Sequence, residues 1–224
     1  MINTLPIEVQ RCIEQGAHRL GRALERLEWP NSGKDGPVAE INGLISLMYY
    51  LQAEPEAFHI YAEGTCAGGR IDMMACNGPI ALAVEAKAFG KIADRSESCL
   101  KDLQRMKTFK PELTTKLASG NSLNEWWEAA SQRWGIILIQ AFRGREISDA
   151  WVAPDTAGFL KAMSTYSGSA ENYVGADPDN PTGFLKLWQQ FEPQNRGRAQ
   201  ITDATRWPDT VASEGWFLWG AIPL

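Results

Sequence analysis

Apolar residues recur at three- and four-residue steps, or their sum, from Pro6 to Glu28. Val9, Ile13, Leu20, Leu24 and Leu27 line one face there, a spacing that predicts a first helix. Pro6 suits its first turn, where a missing N–H breaks no internal bond. The stretch Trp29-Pro30-Asn31-Ser32-Gly33-Lys34-Asp35-Gly36-Pro37 reads as loop. A second helix is expected from about Val38 to Leu51, with Ile41, Leu44, Ile45 and Met48 as its buried stripe. Glu40 stands four residues before Leu44, so this carboxylate is expected along the edge of the buried face.

The period then drops to two. Phe58, Ile60 and Ala62 alternate with His59, Tyr61 and Glu63, which predicts a strand. After Gly68-Gly69, Arg70 to Cys76 reads as a second strand with Ile71, Met73 and Ala75 on one face. Asn77-Gly78 is a hairpin signal, closed by Pro79. Ile80 to Phe89 is then a third strand, antiparallel to the second and apolar on both faces until Glu85 and Lys87 arrive on the same one. A helix is expected from about Lys91 to Phe109 through Ile92, Leu100, Leu103 and Met106. Pro111 to Arg133 reads as a polar connection with a short helix around Trp126-Trp127. The apolar run Gly135–Phe142 has the pattern of a strand buried on both faces. Beyond it, helices are expected near Asp155–Thr165 and Thr182–Phe191, with loops between them and a terminal strand over Trp216–Ile222.

Composition narrows the function classes. At 224 residues and 44% hydrophobic, the chain can bury a core of one generous domain. Its net charge of −5 argues against a uniformly basic nucleic-acid coat, though not against a local basic groove. The cysteines at 12, 66, 76 and 99 form no CxxC pair, which sets aside zinc ribbons and thioredoxin-type sites. No apolar run approaches the roughly 18–20 residues of a membrane span, and no leader pattern opens the chain, so a cytoplasmic protein of a reducing compartment is expected. The two histidines, His18 and His59, fall in different elements and match no zinc-hydrolase or triad pattern. Hydrolytic chemistry would therefore rest on carboxylates, lysine and a hard metal ion. Eight of the nine tryptophans follow residue 125, a distribution that fits core packing better than a base-stacking platform.

One constellation carries chemistry. Glu85 and Lys87 stand two apart on a strand, so both point to one face, roughly 6–7 Å apart along it. Asp72, on the antiparallel neighbour, can approach that face near Glu85. Two converging carboxylates do not both ionise comfortably without a cation. Mg²⁺ takes oxygen ligands and keeps several waters, which suits such a pair. Lys87 would then neutralise a phosphate oxygen or hold the attacking water, and Glu40 could add an outer ligand. Read alone, Glu85 and Lys87 also fit an exposed strand-face ion pair, and Asp102, Gln104 and Arg105 fit an exposed helix face. Glu63 and Arg70 read as strand-surface residues.

The succession of a helix with Glu40, a strand, a strand with Arg70-Ile71-Asp72-Met73, a strand with Val84-Glu85-Ala86-Lys87, a helix and a strand resembles the αβββαβ core of the PD-(D/E)xK, or restriction-endonuclease-like, nucleases. Lys101-Asp102-Leu103-Gln104-Arg105-Met106 is similar to that family's helix after the motif, whose polar residues often face the site. The likeness spans roughly residues 38–142, and Ile71 stands where a proline often precedes the first aspartate. It implies an α/β fold with a mixed sheet, in which residues 1–37 form an N-terminal helix and loop and residues 143–224 a Trp-rich C-terminal extension packed on the core. It also implies Mg²⁺-dependent hydrolysis of DNA phosphodiester bonds, with Mn²⁺ as a substitute. Asp72, Glu85 and the Ala86 carbonyl would hold the metal, Glu40 would assist through water, and Lys87 would stabilise the reacting groups.

Residues 87–110 hold seven basic against three acidic residues, so Lys91, Lys101, Gln104 and Arg105 are the expected nucleic-acid contacts, with Arg196, Arg198 and Arg206 as a second basic cluster. DNA is the expected partner, a membrane is not, and a homodimer is allowed. The alternatives are a catalytically silent nuclease-fold protein that binds nucleic acid or a protein partner, and an interaction protein working through its Trp-rich half.

Overall fold

The computed structural model describes residues 4–24, 40–66, 69–89, 92–110, 122–141, 145–164, 183–202 and 215–224. The loop expected at 29–37 and the arginine at 206 lie outside them.

Two helices open the order: α1 (Ile7–Leu24) and α2 (Glu40–Ala53). Three strands follow, β1 (His59–Cys66), β2 (Gly69–Cys76) and β3 (Ile80–Phe89). Next come α3 (Ile92–Lys107), α4 (Leu123–Ala129) and β4 (Gln132–Ala141). The chain closes with α5 (Arg145–Trp151), α6 (Thr156–Ser164), α7 (Gly183–Trp188), a short 3₁₀ turn (Pro193–Asn195), β5 (Arg196–Thr202) and β6 (Gly215–Pro223). The fold is α/β, around one mixed six-stranded sheet in the order β1-β2-β3-β4-β6-β5. Only β3 and β4 run parallel among its pairs; α3 lies between them in sequence, as a parallel connection requires. Residues after 142 supply β5 and β6 to this same sheet, β6 pairing directly with β4.

Strand alternation divides the core between the two faces. Leu82, Val84, Trp134, Ile136, Leu138 and Phe217 pack with Val9, Ile13, Leu20, Leu44, Leu47 and Leu51, so α1 and α2 cover one face. Ala81, Ala83, Ile137, Ile139 and Leu218 pack with Leu103, Met106, Trp151, Phe159, Phe184 and Trp188, so α3 and the later helices cover the other. β4 is buried on both faces, as its apolar run requires.

Three expectations change. The stripe of α2 buries Leu44, Leu47 and Leu51 instead of running through Ile45, which is 53% exposed. Contact with α1 sets this helix's rotation: a Cβ added at Gly16 of α1 would lie 3.2 Å from the Leu47 nitrogen and 3.3 Å from the Ser46 carbonyl, so the two helix backbones meet closely on the side that carries Leu47. Helix α5 and strand β5 arise where no helix or strand was expected, since both are short and polar in sequence and owe their burial to neighbours. The second basic cluster is built into the fold. Arg196 is buried, donates to the Ala153 carbonyl at 3.0 Å and lies 4.1 Å over the Trp188 ring. Arg198 binds Ser148 and Asp149 of α5.

Five of the described tryptophans serve the core. Trp127, Trp134, Trp151, Trp188 and Trp219 are all buried. Trp151 Nε1 donates to the Trp219 carbonyl at 2.9 Å, and Trp188 Nε1 to the Trp151 carbonyl at 3.0 Å. These two indoles thus find the acceptor their burial demands, whereas Trp134 Nε1 and Trp219 Nε1 are buried with no acceptor among the described residues.

Candidate active site

The ladder between β2 and β3 runs from Cys76–Ala81 to Met73–Val84 and stops there. One register step further, Asp72 stands opposite Glu85. In place of a continued backbone pairing, the Ala86 N–H donates to Asp72 Oδ2 at 2.9 Å. Glu85 and Lys87 share the strand parity of Ala81 and Ala83, so they project toward the face covered by α3.

That helix meets them with Asp102 and Arg105. Lys87 Nζ lies 3.2 Å from Glu85 Oε2 and 3.0 Å from Asp102 Oδ2. The Arg105 guanidinium bonds to Glu85 Oε1 and, at 2.8 Å, to Asp102 Oδ1. Glu85 is 1% exposed and Asp102 5%, so this is a buried ionic cluster and not an exposed strand-face pair. Three carboxylates face two cations, leaving one negative charge when all are ionised.

Burial, then the neighbouring Asp72 carboxylate and Asp102, push Glu85 up to about 7 against the pull of Lys87 and Arg105. Burial pulls the Lys87 ammonium down, but the carboxylates of Glu85, Asp102 and Asp72 more than offset it, and its pKa rises. The cluster therefore holds its lysine charged and its central glutamate close to neutrality.

No family model, curated protein or solved structure matches this chain.

Asp72, Glu85 and Lys87, expected together from spacing, do converge. Glu40 opens α2, on the opposite face of the sheet from α3; its side chain lies outside the described residues, as does Lys91. Lys101 and Gln104 are exposed on α3. Arg105 and Asp102 depart from the exposed helix face expected of them. The sequence signal for this is positional. Cys99, Asp102, Leu103 and Met106 occupy i, i+3, i+4 and i+7, so Asp102 sits inside the apolar stripe of α3. Glu63 and Arg70 form an exposed pair at 3.0 Å, as surface residues should. His59 packs on Trp126 with ring centroids 4.5 Å apart.

Among the described residues, no group of three or more His, Cys, Asp or Glu side chains is poised to hold a metal ion. A magnesium ion needs only one or two carboxylates, because it keeps most of its waters. Asp72 and Glu85 meet that need with hard oxygen donors. Asp72 is half-buried and has one oxygen on Ala86, and its other oxygen makes no hydrogen bond or ion pair among the described residues. Burial and the neighbouring Asp72 carboxylate both disfavour the ionised form of Glu85, and a divalent ion held between the two carboxylates would favour it. The residues fit the ion.

Proposed function

We propose that this chain is a Mg²⁺-dependent phosphodiesterase acting on DNA, with a restriction-endonuclease-like core formed by α2, β1, β2, β3, α3 and β4. The observation that carries this reading is the convergence of Asp72, Glu85 and Lys87 where β2 and β3 part. The strand directions add support: three antiparallel strands followed by a helix and a parallel strand follow the succession of that nuclease core. The site also lies toward the C-terminal end of β3, where open α/β sheets place their ligands.

Asp72 and Glu85 would hold the ion, with the Ala86 carbonyl beside them. Bound there, a divalent ion would polarise the phosphoryl group and make a water acidic enough to attack without a histidine base. The protein's own groups perform the rest. Lys87, kept protonated by its carboxylate neighbours, presents fixed positive charge to the phosphodiester as negative charge builds on it. Asp102 holds that ammonium from the α3 side, so its position does not depend on the metal alone. The Ala86 N–H orients the Asp72 carboxylate. One excess negative charge, a divalent cation and a phosphodiester sum to neutrality, which suits a buried site.

One observation favours a second reading. Lys87 and Arg105 already engage both oxygens of Glu85, as expected for a catalytically silent nuclease fold that only binds nucleic acid or a protein. Incubation with plasmid and linear DNA, in Mg²⁺ or in EDTA, separates the two. The enzyme reading expects cleavage in Mg²⁺ alone, lost by a factor of about 10² or more in Asp72→Asn and Lys87→Met, the scale of removing one charge-stabilising group. Salt-sensitive DNA binding with no cleavage in either buffer would select the silent reading.

A further inference from the structure

Arg105 is the more exposed of the cluster's two cations. Its side chain is 25% exposed, against 2% for Glu85 and 8% for Asp102, the carboxylates it bridges. Its stem passes the first residue of β2, where a Cβ added at Gly69 would lie 3.8 Å from Arg105 Cδ. The guanidinium thus closes two buried carboxylates from the solvent side, while Lys87 neutralises them from within the site.

We propose that Arg105 is a built-in stand-in for the divalent ion, and that guanidinium and metal exclude each other at Glu85 Oε1. The inference rests on the metal site proposed above. A carboxylate oxygen held by a guanidinium N–H takes a hard cation at coordination distance far less readily, because two positive charges would then meet with little water between them. The arginine has a route out toward solvent and a second anchor, since its bond to Asp102 Oδ1 does not involve Glu85. Arrival of the ion moves the guanidinium off Glu85 but leaves it tethered to Asp102 at the edge of the site. Without the ion, the same arginine keeps the acidic pair compensated and the fold intact.

Calorimetric titration with Mn²⁺ tests this without turnover, using the wild type, Arg105→Met and Asp72→Asn. Removing the competing cation should tighten Mn²⁺ binding about tenfold or more, the scale on which one close charge acts. Asp72→Asn should abolish most binding. Mn²⁺ binding in Arg105→Met that equals the wild type, or falls below it, would overturn the exclusion while leaving the metal site standing. Failure of both the wild type and Arg105→Met to bind Mn²⁺ would overturn the site, and the exclusion with it. Should Arg105→Met not fold, ¹⁵N-arginine-labelled wild type supplies the second measurement, with Arg105→Lys assigning the resonance. The Arg105 Nε–H signal should move in step with Ca²⁺ binding; a signal that stays fixed while Ca²⁺ raises the melting temperature overturns the proposal.

Discussion

Asp102 Oδ2 lies 3.0 Å from Lys87 Nζ, joining the buried face of α3 to the charged end of β3. The same aspartate takes Arg105 on its other oxygen, so a single helix carboxylate compensates both cations of the cluster. Removing one member of a buried ion pair leaves an uncompensated charge, which is costly even where the intact pair adds little. Asp102→Ala should therefore lower unfolding free energy by about 3–5 kcal/mol, measured by urea titration. Asp102→Asn should cost less, because the amide oxygen still accepts one hydrogen bond. Equal stability of wild type and Asp102→Ala would mean that the cluster is held together from the strands alone.

Glu85 sets a pH dependence with a definite sign. Its folded pKa of about 7 lies above the ordinary carboxylate value of 4.5. Between those values the native state keeps a proton that the unfolded chain has released, so stability falls as pH rises through this window. The full span is worth about 3 kcal/mol. Lys87, whose pKa is raised, contributes stability throughout this range and loses it only in strongly alkaline solution. Urea unfolding from pH 5 to pH 8, in the absence of divalent ions, should show the decline, and Glu85→Gln should flatten it. A wild type as stable at pH 8 as at pH 5 would show that Glu85 is not held near neutrality.

DNA contacts should divide between the two basic regions according to their burial. Lys101 is exposed on α3, whereas Arg196 is buried against Ala153 and Trp188. Each phosphate contact contributes about −0.9 to the slope of log K against log salt for duplex DNA. With binding measured in Ca²⁺, Lys101→Ala should flatten the slope by about one such unit and weaken all sequences alike. Arg196→Met should leave the slope unchanged and lower the melting temperature, since its guanidinium serves the fold. The reverse result would move the DNA path to the β5 edge of the sheet.

Local signals were enough for much of the fold. The apolar run of β3, broken on one face by Glu85 and Lys87, and the Asn77-Gly78 turn before it determined the hairpin and which face would carry charge. The apolar run of β4 determined a strand buried on both sides. Histidine poverty directed any hydrolytic reading to carboxylates and lysine. These features depend on neighbours a few residues apart, and local chain geometry carries them. The rest depends on distance along the chain. That α2 buries Leu47 and Leu51 and exposes Ile45 was decided by where α1 packs. Arg196 and Arg198 read as a surface patch until Trp188, Ala153 and Asp149 closed around them. Asp102 and Arg105 have the composition of a solvated helix face; only the docking of α3 on the sheet brings them to Glu85 and Lys87 and changes a strand-face pair into a buried five-membered cluster with Asp72. Burial and charge compensation belong to groups brought together from separate elements, and pattern along one element cannot encode the partner it will meet.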